Sequence, residues 1–95
     1  MYSILMSVYY NDTVTAVCDV LSDMFGQTMP FDQFVIVVDG PIKDDLANKL
    51  SSIKDERINI LWLQENVGLG DALNKGMDVV RNRLVMRMDA DDRCS

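Results

Sequence analysis

Residues 3–12 read Ser3-Ile-Leu-Met-Ser-Val-Tyr-Tyr-Asn-Asp12. An almost unbroken apolar run of strand length passes here into a polar turn. A strand of that kind is buried on both faces, as in a parallel sheet covered by helices. Working outward, Asn11, Asp12 and Thr13 are N-cap candidates for a helix. Val14, Val17, Cys18, Leu21 and Met24 or Phe25 then recur at helical spacing. Gly26 ends that helix, and Pro30 confirms the break. Phe34-Val-Ile-Val-Val38 is a second fully apolar strand, closed by the turn Asp39-Gly40-Pro41.

Leu46, Leu50 and Ile53 mark a second, more polar helix from about Ile42 to Lys54. Ile58 to Leu63 is a third strand, and a loop from Gln64 to Gly70 follows it. A third helix starts at Leu69 or Asp71, with Leu69, Leu73, Met77 and Val80 as its apolar stripe. Ala72 and Gly76 allow that helix to approach its neighbour closely. Leu84 to Met88 is a fourth strand and runs directly into Asp89-Ala-Asp-Asp92. The order βαβαβαβ predicts an α/β fold, a mostly parallel sheet with helices on both faces and right-handed crossovers. Ligands of such sheets gather at the carboxyl ends of the strands, near the point where strand order reverses. That rule selects Tyr9 to Asp12, Asp39 to Pro41, Gln64 to Asp71 and Asp89 to Asp92.

Ninety-five residues make one domain, and a hydrophobic fraction of 48% separates the chain from disordered sequences. Nine Lys and Arg against 15 Asp and Glu give a net charge of −6, with no His. This excludes a general nucleic-acid binder, which needs clustered cations, and all histidine-based chemistry. No apolar run approaches the ~20 residues of a membrane span, and Met1 to Val8 does not read as a signal peptide. Cys18 and Cys94 are too few for a metal site; Cys18 on an apolar helix face reads as a buried thiol, and the usage fits a reducing compartment.

The acidic group after the fourth strand carries the sharpest chemical reading. Asp89, Asp91 and Asp92 crowd three carboxylates into four positions. They are either solvated helix-capping residues or ligands of a divalent cation, Mg²⁺ or Mn²⁺, which prefers oxygen donors and accepts phosphates in the same shell. Bound metal would make an acidic pocket a receptor for a diphosphate. Asp39, at the end of the second strand, is either a turn former or an acceptor for ribose hydroxyls or a base N–H. The loop Asn66-Val-Gly-Leu-Gly70 offers glycines for a tight turn. No Gly-x-Gly-x-x-Gly follows the first strand and no Walker phosphate loop exists, which argues against a dinucleotide or P-loop site.

Taken in order, Ser3 to Asp12, Gln27-Thr-x-Pro30, Val37-Val-Asp-Gly40, Asn66-x-Gly-Leu-Gly-x-Ala-Leu-Asn-x-Gly76 and Met88-Asp-Ala-Asp-Asp92 resemble an inverting family 2 glycosyltransferase. The likeness spans essentially the whole chain. It is to the N-terminal part of such enzymes, especially bacterial ones that extend capsular polysaccharide, O-antigen or lipooligosaccharide. The resemblance implies a three-layer GT-A, Rossmann-like half-domain with strand order 3-2-1-4. It implies that Tyr9, Asp12, Asp39, Asn66, Gly68, Gly70 and Asp89 bind a nucleotide-sugar, a UDP-sugar above all. Asp91, with Asp89, would hold Mn²⁺ or Mg²⁺. Arg87 would orient these carboxylates or pair with Asp39.

One departure is Asp71, where many relatives have Lys or Arg; here it reads as an acid favourable to a helix N-terminus. The catalytic base and the acceptor-binding half are expected beyond Ser95, so the 95 residues alone are expected to be inactive. The resemblance further implies a saccharide or lipid-linked saccharide acceptor and a cytoplasmic location, at the inner face of the membrane in the parent protein. A sheet ending at its fourth strand predicts self-association through that edge, or disorder over Leu84 to Ser95. The competing reading is a small Mg²⁺-binding βαβ regulatory or interaction domain of receiver type. It would want a phosphorylatable Asp after the third strand, where Gln64-Glu65 stands.

Overall fold

The computed structural model describes residues 2–26 and 31–89, without the side chains of Met24, Phe25 and Asp89. Four strands and three helices alternate: β1 (Ser3–Val8), α1 (Val14–Phe25), β2 (Gln33–Val38), α2 (Asp44–Ser51), β3 (Ile58–Trp62), α3 (Leu69–Met77) and β4 (Val85–Asp89). All pairings are parallel and the sheet order is β3-β2-β1-β4, the expected one.

The register explains the layers. Ile4, Met6 and Val8 of β1 pair with Phe34, Ile36 and Val38 of β2. Together with Val17, Val20 and Leu21 of α1 and Leu46 and Leu50 of α2 they form the larger core. The alternate residues Leu5, Val35 and Val37 pack against Ala72 of α3 in a smaller core on the opposite face. Both central strands are thus buried on both sides, which is why they read as continuous apolar runs. The chain steps from β1 to β2 to β3 under α1 and α2, then returns across the other face under α3 to place β4 beside β1. Strand order reverses between β1 and β4.

Several boundaries differ from the expected ones. α2 spans Asp44–Ser51, not Ile42 to Lys54, because Pro41 and Ile42 belong to the turn leaving β2. β3 stops at Trp62 and leaves Leu63 to the loop. β4 runs from Val85 to Asp89, so Asp89 belongs to the strand, in register with Ser7. Of the three cap candidates, Thr13 caps α1, its Oγ1 accepting the Ala16 N–H at 3.1 Å. Cys18 is a free thiol only half-buried, in a shallow groove between α1 and α2 lined also by Leu21, Lys49 and Ile53.

The proposed stripe on α3 holds for half of its residues: Leu73 and Val80 pack against the smaller core, and the close approach expected at Ala72 and Gly76 is present. Leu69 and Met77 are 48% and 49% exposed, whereas Ala72 and Gly76 are buried. A Cβ on Gly76 would stand 2.5 Å from Leu5 Cδ1 and 2.7 Å from Val37 Cγ2. The helix therefore docks through its smallest residues, and its larger apolar side chains flank the contact.

Away from the carboxyl edge, a buried polar network ties the sheet together. Gln33 Oε1 accepts from Ser3 Oγ and from the Arg81 N–H, both at 2.8 Å. Gln33 Nε2 donates to Asn59 Oδ1 and to the Val79 carbonyl, both at 2.9 Å. The amide of this buried residue is fully used. Asn82 Nδ2 extends the network to Ser3 Oγ and Asp32 Oδ1.

Candidate functional site

The crevice outside the carboxyl ends of β1 and β4 is where this topology places a ligand. Three loops and the end of β4 converge there. After β1, Tyr9 to Asp12 form a closed turn. The Asp12 N–H donates to the Tyr9 carbonyl at 3.0 Å, and the Tyr9 N–H donates back to Asp12 Oδ2 at 2.9 Å. Asp12 is therefore buried in its own turn, while the rings of Tyr9 and Tyr10 project into the open.

After β2, Asp39 is 3% exposed and organises the loop that follows β3. Its Oδ1 accepts the Val67 N–H at 2.7 Å, and its Oδ2 accepts the Gly68 N–H at 3.2 Å and Asn66 Nδ2 at 3.1 Å. Asn66 Nδ2 also reaches the Asp39 carbonyl at 3.2 Å. Gly40 makes this contact possible. Its φ is +86°, and a Cβ there would stand 2.6 Å from the Asn66 nitrogen. A side chain at residue 40 would thus push the two loops apart besides straining the backbone.

Asp39, Asn66 and Gly68 are brought into one hydrogen-bonded unit. Gly70, in the first turn of α3, has open space around its α-carbon. Asp71 lies in that same first turn, the position expected from its reading as a helix N-terminal acid. Asp89 is placed by its backbone at the end of β4 beside Ser7. Asp91, Asp92 and Cys94 lie outside the described residues, as does the Gln27–Pro30 segment. Among the described residues no three His, Cys, Asp or Glu side chains form a metal-holding group.

Arg87 stands on β4 in register with Leu5, and the Asp39 carboxylate accepts from residues 66–68. A cation that sequence reasoning missed is Lys43. Its Nζ lies 5.7 Å from the centroid of the Tyr10 ring and joins the loop after β2 to the loop after β1. Only proximity in space reveals this pair, because the residues are 33 positions apart in a sequence without a linking motif.

Comparison with known proteins places this geometry in context. A family model described as glycosyl transferase family 2 matches residues 3–95. The amylovoran biosynthesis glycosyltransferase AmsE of Erwinia amylovora is 35% identical over 99% of this chain and 36% of its own length. A UDP-Gal:alpha-D-GlcNAc-diphosphoundecaprenol beta-1,3-galactosyltransferase of Escherichia coli is 32% identical over 96% of this chain and 34% of its own. An uncharacterised glycosyltransferase of Haemophilus influenzae is 32% identical over 98% and 35%. The chain thus spans about a third of the length of these curated relatives. Among the described residues no helix is long and apolar enough to cross a membrane.

Proposed function

The chain belongs to glycosyl transferase family 2, and from that premise we propose that it forms the donor-binding part of an inverting glycosyltransferase. The donor is a nucleotide-sugar, a UDP-sugar first, and the acceptor a saccharide or lipid-linked saccharide. The observation that supports this most is the Asp39 unit, which locks the loop of residues 66–68 at the carboxyl edge of the sheet.

In this reading the residues divide the work. Asp39 uses three of about four lone-pair positions on its carboxylate internally. The remaining one, on Oδ1, accepts an N–H of the base or a ribose hydroxyl. The exposed Tyr9 ring offers an apolar face to the base, and Asp12 keeps the turn that presents it. Asn66, Gly68 and Gly70 form the wall beside the nucleotide and sugar, where the absence of side chains at Gly68 and Gly70 lets the donor approach the backbone. Asp89, at the end of β4, is assigned to the ribose and sugar hydroxyls.

Asp91 and Asp89 provide the hard carboxylate oxygens that suit Mn²⁺ or Mg²⁺, which when bound would stabilise negative charge on the departing nucleoside diphosphate. A carboxylate outside residues 1–95 deprotonates the acceptor hydroxyl, and single displacement inverts the anomeric carbon.

The test is a calorimetric titration of the protein with UDP, with and without Mn²⁺. Binding that requires Mn²⁺ and is lost in Asp91→Ala is the expected result. UDP binding indifferent to that substitution removes the metal assignment, and no binding at millimolar UDP removes the donor site.

A further inference from the structure

Trp62 is the only tryptophan of the chain and closes β3, the strand at the sheet edge opposite β4. It is 46% exposed, although a residue of its size is usually largely covered. Beside it lies an open depression of about 620 Å³ lined by Trp62, Leu63, Gln64, Glu65, Val67 and Lys75. That volume falls within the range of small-molecule clefts, roughly 300–1,000 Å³.

The lining is divided by chemistry. Leu63 and Val67 are partly buried against the α3-side core and make an apolar floor. Gln64, Glu65 and Lys75 supply an amide, a carboxylate and an ammonium, and among the described residues none of the three side chains has a partner. Donors and acceptors are therefore both on offer. The two charges cancel, so the depression has no net preference for an anion, and Glu65 repels a phosphate.

These features suit a neutral ring with an apolar face and a hydroxylated rim. We propose that the depression binds an uncharged pyranose unit, its C–H face against the apolar wall and its hydroxyls shared among Gln64, Glu65 and Lys75. The site is distinct from the donor crevice. The two differ in the groups they use: Asn66 Nδ2 and the backbone N–H groups of Val67 and Gly68 are given to Asp39, while the depression is lined by residues 62–65, 67 and 75. The proposal stands on this lining alone and does not require that the crevice bind UDP.

The single tryptophan makes the test direct. Methyl glucoside, methyl galactoside and methyl N-acetylglucosaminide are titrated to 50 mM, a range chosen for roughly millimolar affinity. Trp62 emission and the backbone amide shifts of residues 63–67 are followed together. At least one glycoside is expected to give a saturable change in both, unaltered by UDP. Glu65→Gln and Lys75→Ala, both at exposed positions, are each expected to weaken it about fivefold, the equivalent of one lost hydrogen bond of about 1 kcal/mol. The proposal is overturned if no glycoside gives saturation, if binding survives the double substitution unchanged, or if UDP displaces the sugar.

Discussion

Asp39 shows how one side chain serves two neighbours. Its carboxylate is buried at the end of β2, yet it has charge-assisted hydrogen bonds from two backbone amides and one side-chain amide. Asp39→Asn replaces one acceptor oxygen by an NH₂ that faces N–H donors. The expected cost is about 1–3 kcal/mol of stability, with faster hydrogen exchange at the Val67 and Gly68 amides; unchanged exchange at those two positions would refute the clamp. Nothing local in the sequence announces it. Asp39-Gly40 reads as a turn, and its partners stand 27 to 29 positions away. That the acid and the loop lie at the same edge of the sheet was legible from the βα order, because both follow strands. That the acid holds the loop required three dimensions.

Among the elements, the central strands were fully legible and α3 was legible in part. β1 and β2 are buried on both faces, so their apolar runs carry the whole signal. α3 docks by Ala72 and Gly76, the two small residues expected to allow close approach, whereas of its large apolar stripe Leu73 and Val80 reach the core and Leu69 and Met77 do not. Gly76→Ala separates the two influences. Alanine favours the helix by about 1 kcal/mol, but its Cβ meets Leu5 and the stiff Val37 in a packed core. Overpacking of this kind costs about 1–3 kcal/mol, so a lower melting temperature is expected by calorimetry, and a higher one would show that the core yields.

β4 raises a different question, because on its outer side no described strand pairs with it, and Leu84 and Met86 are exposed there. Open edges template association. The 95-residue chain is expected to show a concentration-dependent mass by light scattering, and Met86→Lys to return it toward the monomer. A monomer at all concentrations would count against pairing through this edge.

Across the whole molecule, acid and base are distributed unevenly in their consequences. Most of the acidic residues described stand at exposed positions. One is held by a specific partner far from the crevice. Asp55 receives the side chain of Arg57 through both carboxylate oxygens, at 3.1 and 2.8 Å, and the Arg57 N–H at 2.9 Å. Arg57 in turn lies 4.6 Å over the Phe31 ring. The Arg57 hydrogen bonds bring the Asp55 pKa down from 3.8 to about 2. A carboxyl more acidic in the folded state contributes stability above its unfolded pKa and loses it as pH falls from about 4 toward 2. The pair is partly exposed, so its share is small. Arg57→Ala is expected to flatten the stability profile in that window alone; an equal loss at pH 7 and pH 2 would show that the arginine acts through its packing on Phe31.

The Gln33 network has a consequence in time. Its partners are drawn from residues 3, 59, 79 and 81, so it spans the chain from the first strand to the turn before the last. It cannot be completed until β3 has paired and α3 has crossed the sheet. Closing so wide a set of loops is entropically expensive and comes late on a folding route. Contacts made late chiefly slow unfolding and leave the folding rate little changed. A glutamine at the foot of the sheet therefore acts as a latch, setting how long β4 stays beside β1 once it has arrived, and with it the lifetime of the crevice at the opposite end.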